Sequence, residues 1–208
     1  MQQISTFEGE VMRYALLGDL HSNIDDTKAV LQHIQEIAPN AVLIGLGDLY
    51  ECTIGKKKAL TITNAPLHTA AIIEEDFEVL LTFPSIRGNQ EERITKVTGI
   101  KRFADLPDKM VIEGATLIHG HQIEWDKQWE PVNCFTLEIE TSLVFFGHSH
   151  RSCIYEKFKK LKEPLPFGRE IQLDNKNYWI NVGSVVDNRE WCLYDTENRS
   201  IRFMKTSH

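Results

Sequence analysis

No stretch of the 208 residues approaches the roughly 18 consecutive apolar positions of a membrane-spanning helix, so no membrane partner is expected. The opening Met1-Gln2-Gln3-Ile4-Ser5 has neither the basic nor the apolar region of a secretory signal, which points to the cytoplasm. Cysteine is sparse. Cys52, Cys134, Cys153 and Cys192 show no C-x-x-C spacing and read as reduced cytosolic thiols. Positive charge is short as well: 23 Lys and Arg against 30 Asp and Glu leave a formal net charge of −7. That is the wrong sign for gripping a nucleic-acid duplex through its phosphates. No internal repeat, low-complexity tract or linker divides the chain. A single domain over residues 1–208 is expected, with 1–12 as a candidate N-terminal extension because Met12 directly precedes the first strand pattern. A homo-oligomer is left open.

What is present suits a soluble globular chain: 42% hydrophobic and 25% charged residues, at a length that can bury a sizeable core. Arg13–Gly18 and Ala41–Leu46 are predicted strands. Between them Ile24, Val30, Leu31, Ile34 and Ile37 keep helical period, capped by Asn23 or Asp25 and stopped by Pro39-Asn40. This is a βαβ unit, for which a right-handed crossover is expected. A helix over Pro66–Leu81 is predicted from the stripe Ile72, Ile73, Phe77 and Leu80. A short strand Pro84–Arg87 and a short helix up to Gly99 follow. Lys109–Ile112 and Ala115–His119 flank a Glu113-Gly114 turn, a hairpin signal. Trp125–Trp129 and Val132–Ile139 read as loop and helix. Leu143–Phe146, Ile154–Phe158, Glu170–Leu173, Tyr178–Val182, Glu190–Tyr194 and Ile201–Met204 read as strands. A βαβ-like front half and a strand-rich back half fit two stacked sheets flanked by helices, an α/β fold.

Chemistry collects at the strand ends. Gly18-Asp19-Leu20-His21 follows the first strand and Gly47-Asp48 the second. Gly88-Asn89, His119-Gly120-His121 and Gly147-His148-Ser149-His150 follow later ones. In open α/β sheets ligands bind at such ends. Carboxylate oxygens and imidazole nitrogens suit Mn, Fe, Zn or Ni. His21, His119, His121, His148 and His150 all fall in these pieces, whereas His33, His68 and His208 do not.

The ordered set G-D-x-H, G-D, G-N, H-G-H, G-H-x-H, running from Arg13 to the C-terminus, resembles the calcineurin-like metallophosphoesterase superfamily. In size and spacing it resembles the small bacterial and archaeal phosphodiesterases. The resemblance implies a four-layer α/β/β/α sandwich of two mixed β-sheets and a dinuclear centre of divalent transition metals, manganese favoured. Carried over, one ion would take Asp19, His21 and His150 and the other Asn89, His119 and His148, with Asp48 bridging. Asp19, Asp48, Asn89 and His119 would then act in catalysis through the metals. Two such ions, about 3.5–4 Å apart, can hold an attacking hydroxide and polarise a phosphoryl group for in-line displacement. Two carboxylates do not neutralise four positive charges, so an acidic protein can still attract a small phosphate-ester substrate.

One departure stands out. Many members carry a His directly after the G-N pair, where this chain has Gln90, and a primary amide cannot act as a general acid. His121 is a further catalytic candidate. Arg87, Asn89 and Gln90 are candidates for substrate contact, and the Gly55-Lys56-Lys57-Lys58 run could form a phosphate-attracting rim. Trp125 and Trp129 could stack a nucleobase or pack in the core. Asn181-Val182-Gly183-Ser184 is expected to brace the site from behind. The expected function is phosphodiester hydrolysis. The alternatives are a nucleotide or dinucleoside polyphosphate hydrolase, or a non-catalytic protein-binding scaffold such as the retromer small subunit, which shares the fold.

Overall fold

Strand β1 (Arg13–Leu17) is buried on both faces after its first residue, and its alternation assigns the faces. Tyr14 and Leu16 enter one apolar cluster while Ala15 and Leu17 enter another. The computed structural model describes residues 12–134, 137–161 and 165–207, so residues 1–11 of the candidate extension, and His208, lie outside it.

Helix α1 (Ile24–Ile37) starts where the Asn23 side chain accepts a hydrogen bond from Asp26 N–H at 2.9 Å, with Asp25 and Asp26 in its first turn. Both features favour a helix N-terminus. Val30 and Ile34 pack on β1; Ile37 is exposed. Strand β2 (Val42–Gly45) then pairs parallel with β1. Next come β3 (Glu51–Cys52), α2 (Leu67–Ala70), β4 (Ala71–Ile72), α3 (Glu75–Glu78) and α4 (Asn89–Thr98). Strands β5 (Lys109–Ile112), β6 (Ala115–Ile118), β7 (Glu124–Trp125), β8 (Pro131–Asn133), β9 (Leu143–Phe146) and β10 (Cys153–Glu156) follow. The chain ends with β11 (Lys159–Lys160), β12 (Glu170–Gln172), β13 (Tyr178–Asn181), β14 (Glu190–Asp195) and β15 (Ser200–Lys205).

Two mixed sheets result, of order β12-β15-β14-β1-β2 and β11-β10-β13-β9-β6-β5. Their facing sides share one core, in which Leu16, Ile44 and Phe203 of the first sheet meet Leu117, Phe145 and Ile180 of the second. The outer face of the first sheet is covered by α1 and by Phe77 of α3. Over the second sheet, among the described residues, the cover comes from Ile123, Trp125 and the segment reaching Ile139. The parallel strands β1 and β2 of one sheet, and β6 and β9 of the other, run into the loops that carry the G-D, H-G-H and G-H pieces, and β13, parallel to β9, runs into the turn at 181–184.

Three predicted elements come out differently. Pro66–Leu81 is two single-turn helices around β4, which pairs with β3 and leaves Ile72 40% exposed. Long-range pairing with Glu51–Cys52 wins over a local helical pattern that has no cap of its own. Pro84–Arg87 makes only an isolated bridge, Ser85 to Gly45. The Val132–Ile139 region opens as β8, paired with β7, with no helix among its described residues; 135 and 136 lie outside them.

Candidate metal centre

The turns after β1 and β2 are laced together. Asp19 N–H donates to Gly47 O at 3.0 Å, and the N–H groups of Leu20 and His21 donate to Asp48 O at 2.9 and 3.0 Å. Gly47, at φ +87°, lets the Gly88 loop close over them, since a Cβ there would lie 2.6 Å from Gly88 N. The second sheet is tied in by His148 N–H, which donates to Asp19 Oδ2 at 2.9 Å.

This lacing brings together two groups of potential ligands: Asp19, His21 and His150, and Asp48, His119 and His148. Asp48 Oδ2 lies between them, 3.8 Å from His21 Nε2 and 3.4 Å from His119 Nε2. His150 Nε2 is 3.5 Å from Asp19 Oδ1, and His148 Nδ1 is 3.2 Å from His119 Nε2. Asn89 completes the set, with Oδ1 3.3 Å from His119 Nε2. Five of these seven residues, Asp19, His21, Asp48, His148 and His150, sit at φ of 49–71°. The left-handed region costs an ordinary residue about 1–2 kcal/mol, and such strain gathers at functional sites.

The donor atoms fit a cation. Asp19 Oδ1 is fully buried without a hydrogen-bond partner, and so is His21 Nε2, 3.9 Å away. A buried carboxylate oxygen left unpaired is expensive; a divalent ion beside it removes the penalty. The far sides of two imidazoles are already held. His21 Nδ1 lies 2.5 Å from Glu51 Oε2 and His119 Nδ1 lies 2.8 Å from Leu46 O, which leaves each Nε2 for the centre.

Electrostatics agree. Burial opposes protonation of His119, but Asp48 outweighs it and pushes the pKa up to about 10. Burial would raise Asp48, yet His119 and His21 hold it well below the usual carboxylate range. Burial, and then the charge on His119, push His148 down to about 4.

A comparison with protein families matches residues 12–199 to the calcineurin-like phosphoesterase superfamily domain. The chain belongs to that superfamily. No functionally curated protein matches it. Among solved structures, a metallophosphoesterase from Sphaerobacter thermophilus is 16% identical, with 96% of this chain and 89% of that one covered, at a TM-score of 0.63. A hypothetical protein from Pyrococcus horikoshii is 12% identical over 95% of this chain and 88% of that one, at 0.53. At these identities the likeness establishes the fold. The superfamily uses a dinuclear metal centre, and the two groups here offer ligands for one.

One residue of this superfamily site has no place in the reading from sequence. Glu91 is fully buried. Its Oε2 accepts from Asp48 N–H at 2.9 Å and Gly88 N–H at 2.8 Å, and its Oε1 from Tyr50 N–H at 3.0 Å. It thus clamps the Asp48 turn to the Asn89 turn. Burial and the nearby Asp48 push its pKa up to about 6. The signal was the capping-box spacing Gly88-x-x-Glu91 at the start of α4. Glu91→Gln keeps the shape but turns a donor toward backbone donors. A loss of about 1–3 kcal/mol in urea unfolding at pH 7 is expected; an unchanged midpoint would show that the clamp does not matter.

The other predicted residues divide. Gln90 is buried beside the cleft, its Oε1 accepting from Cys52 N–H at 3.2 Å and from the Arg93 guanidinium. Arg87 turns away from the cleft. It donates to Ala104 O at 2.7 Å and pairs with Asp108, which is the salt-bridge reading of this residue rather than a contact to substrate. His121 packs 5.4 Å from the His119 ring, with Nε2 3.1 Å from Glu92 Oε1. Trp125 is in the packing, donating to Gly120 O at 2.9 Å. Trp129 is 45% exposed and faces the cleft, its ring 5.7 Å from that of His148. Lys56 lines the cleft too. Asn181 Nδ2 donates to Gly147 O at 2.8 Å and Ser149 Oγ at 2.9 Å, bracing the G-H-x-H turn from behind.

Proposed function

We propose that this protein hydrolyses phosphate esters, phosphodiesters foremost, at a dinuclear divalent-metal centre. Asp19, His21 and His150 would hold one ion, and Asn89, His119 and His148 the other. Asp48 would lie between them. The observation that carries the reading is the buried, unpartnered Asp19 Oδ1 facing His150 Nε2 beside an Asp48 oxygen that faces both groups. When bound, the ions supply Lewis-acid charge for a phosphoryl group and activate water. The chain does the rest. Leu46 O and Glu51 fix the orientation of the His119 and His21 rings. Glu91 holds the Asp48 and Asn89 turns in register. Asn89 and Gln90 face the side from which an ester would enter.

Manganese is the favoured ion and the cytoplasm the favoured compartment, the latter because the four cysteines are free thiols. No helix among the described residues is long and apolar enough to cross a membrane. A nucleotide or dinucleoside polyphosphate substrate is favoured by one feature, the exposed Trp129 ring beside His148, which offers a base a stacking face. A pure binding scaffold has no use for an orphaned carboxylate inside a strained cluster.

Protein loaded with Mn and desalted is expected to hold about two equivalents per chain by elemental analysis. A value near zero with several metals, the fold intact by circular dichroism, sinks the proposal. An activity screen of the loaded protein over phosphomonoesters, phosphodiesters and nucleotides then names the ester class.

A further inference from the structure

Beside the metal cleft, of about 430 Å³, lies a second cavity of about 330 Å³. Lys56, Asn89 and Arg93 line both, so the two cavities adjoin as neighbouring lobes. The second lobe is cationic, receiving Lys56, Arg93 and Lys96 against a single carboxylate, Glu92. Glu92 is already engaged, 3.1 Å from His121 Nε2 and 3.7 Å from Arg87 Nε.

The three cations are not engaged in this way. Among the described residues, none of Lys56, Arg93 and Lys96 has a carboxylate within 4.0 Å. The Arg93 guanidinium donates through Nη2 to Gln90 Oε1, a neutral acceptor, and its Nε is buried without a partner. A partly buried guanidinium is normally matched by an anion, because it presents rigid paired donors that suit carboxylate or phosphate. An orphaned donor of this kind calls for an explanation. Arg87, whose Nε is likewise without a hydrogen-bond partner, has the Asp108 carboxylate at its Nη2; Arg93 meets only Gln90 Oε1 and the Cys52 thiol, neither of them an anion.

We infer that the lobe formed by Arg93, Lys56 and Lys96 binds a second phosphate of the substrate while the first is held at the metal cleft. This rests on the phosphoesterase reading and narrows it: the preferred substrate carries two phosphates, whether linked directly or through a sugar. Arg93 is a specificity residue here. It is four residues along α4 from Asn89, so one helix turn presents both the candidate metal ligand and the second anion's partner. The lobe also accounts for how a chain of net charge −7 draws in a highly charged anion, by concentrating uncompensated cations at one mouth.

The test uses Mn-loaded protein and calorimetric binding of two probe pairs: thymidine 5′-monophosphate against thymidine 3′,5′-bisphosphate, and inorganic phosphate against imidodiphosphate. In the wild type, at least one two-phosphate probe is expected to bind about tenfold or more tighter than its single-phosphate parent. Arg93→Gln is expected to remove most of that advantage, and Lys96→Gln part of it. In parallel, the ratio of kcat/KM for the 4-nitrophenyl 5′-esters of thymidine with and without a 3′-phosphate should fall in both variants. If neither two-phosphate probe has an advantage, or both variants leave it intact, the inference is overturned while the phosphoesterase reading stands. If the single-phosphate probes fail to bind and no nitrophenyl ester is cleaved, the phosphoesterase reading itself fails and takes the lobe's role with it.

Discussion

Asp48→Asn is expected to cut metal content on both sides of the centre and to lower kcat/KM by on the order of 100-fold or more. Even removing an outer partner of a metal ligand commonly costs 10–100-fold. The substitution is a clean one. Asp48 sits at φ +50°, and Asn tolerates the left-handed region better than most residues. An Asn can also keep the hydrogen bond in which Oδ1 accepts from Gln90 N–H at 2.8 Å. What it removes is the negative Oδ2 between His21 and His119. His150→Ala provides the contrast, because His150 touches only the Asp19 side and should empty mainly one position. Elemental analysis and steady-state kinetics on the two variants, with thermal unfolding to confirm folding, decide the matter. Full metal content and normal turnover in Asp48→Asn would place the bridge elsewhere.

The parts of this centre that sequence makes legible are those where chemistry and local structure coincide. Asp19, Asp48, His119 and His148 each come directly after an apolar strand, and the adjoining Gly allows the turn, so strand period and ligand type point to the same place. Gly147 shows why: a Cβ there would meet Asp19 Oδ2 at 2.5 Å. The α1 cap at Asn23 was equally local. What was hidden depends on distant partners. Glu91 acts through backbone groups more than forty positions earlier, and its burial follows from loops that meet only in the folded chain. The Pro66–Leu81 stripe looks helical because Phe77 and Leu80 are spaced as one face, yet Ile72 belongs to a strand whose partner is Glu51. Lys56 and Arg93 converge on one cavity from segments with no pattern in common, so the sequence of the basic run at 55–58 favours a solvated loop over a rim, and only the fold brings Lys56 to the cleft. Arg87 and Arg93 lie on either side of the G-N pair, and only the fold shows that the first meets a carboxylate and the second a neutral amide oxygen.

Gln90 sets the second large effect. With an amide at the position where the resemblance leads one to expect an imidazole, hydrolysis should slow steeply as the leaving group worsens. Its neighbour Arg93 does not replace the acid, because a guanidinium stays protonated at any working pH. General acid catalysis contributes about 10²–10⁴-fold, so a shortfall of that order is expected between aryl and alkyl diesters, beyond their difference in binding. An aryl oxide such as nitrophenolate leaves with its charge delocalised; a sugar alkoxide needs a proton. Gln90→His is expected to flatten the dependence. It should also add a basic limb to the pH profile. The imidazole donates only when protonated, so the gain is present below its pKa and lost as pH rises through it. The variant gives up the acceptor that Cys52 N–H and Arg93 now use, and it adjoins the ligand Asn89, so metal content is measured alongside. Kinetics with a graded series of esters, chemistry shown to be rate-limiting, give the slope directly. Similar rates for alkyl and aryl diesters in the native protein would mean that another group supplies the proton. His121 would be examined first: it packs against the His119 ring, its Nδ1 is buried without a partner, and Glu92 holds its other nitrogen.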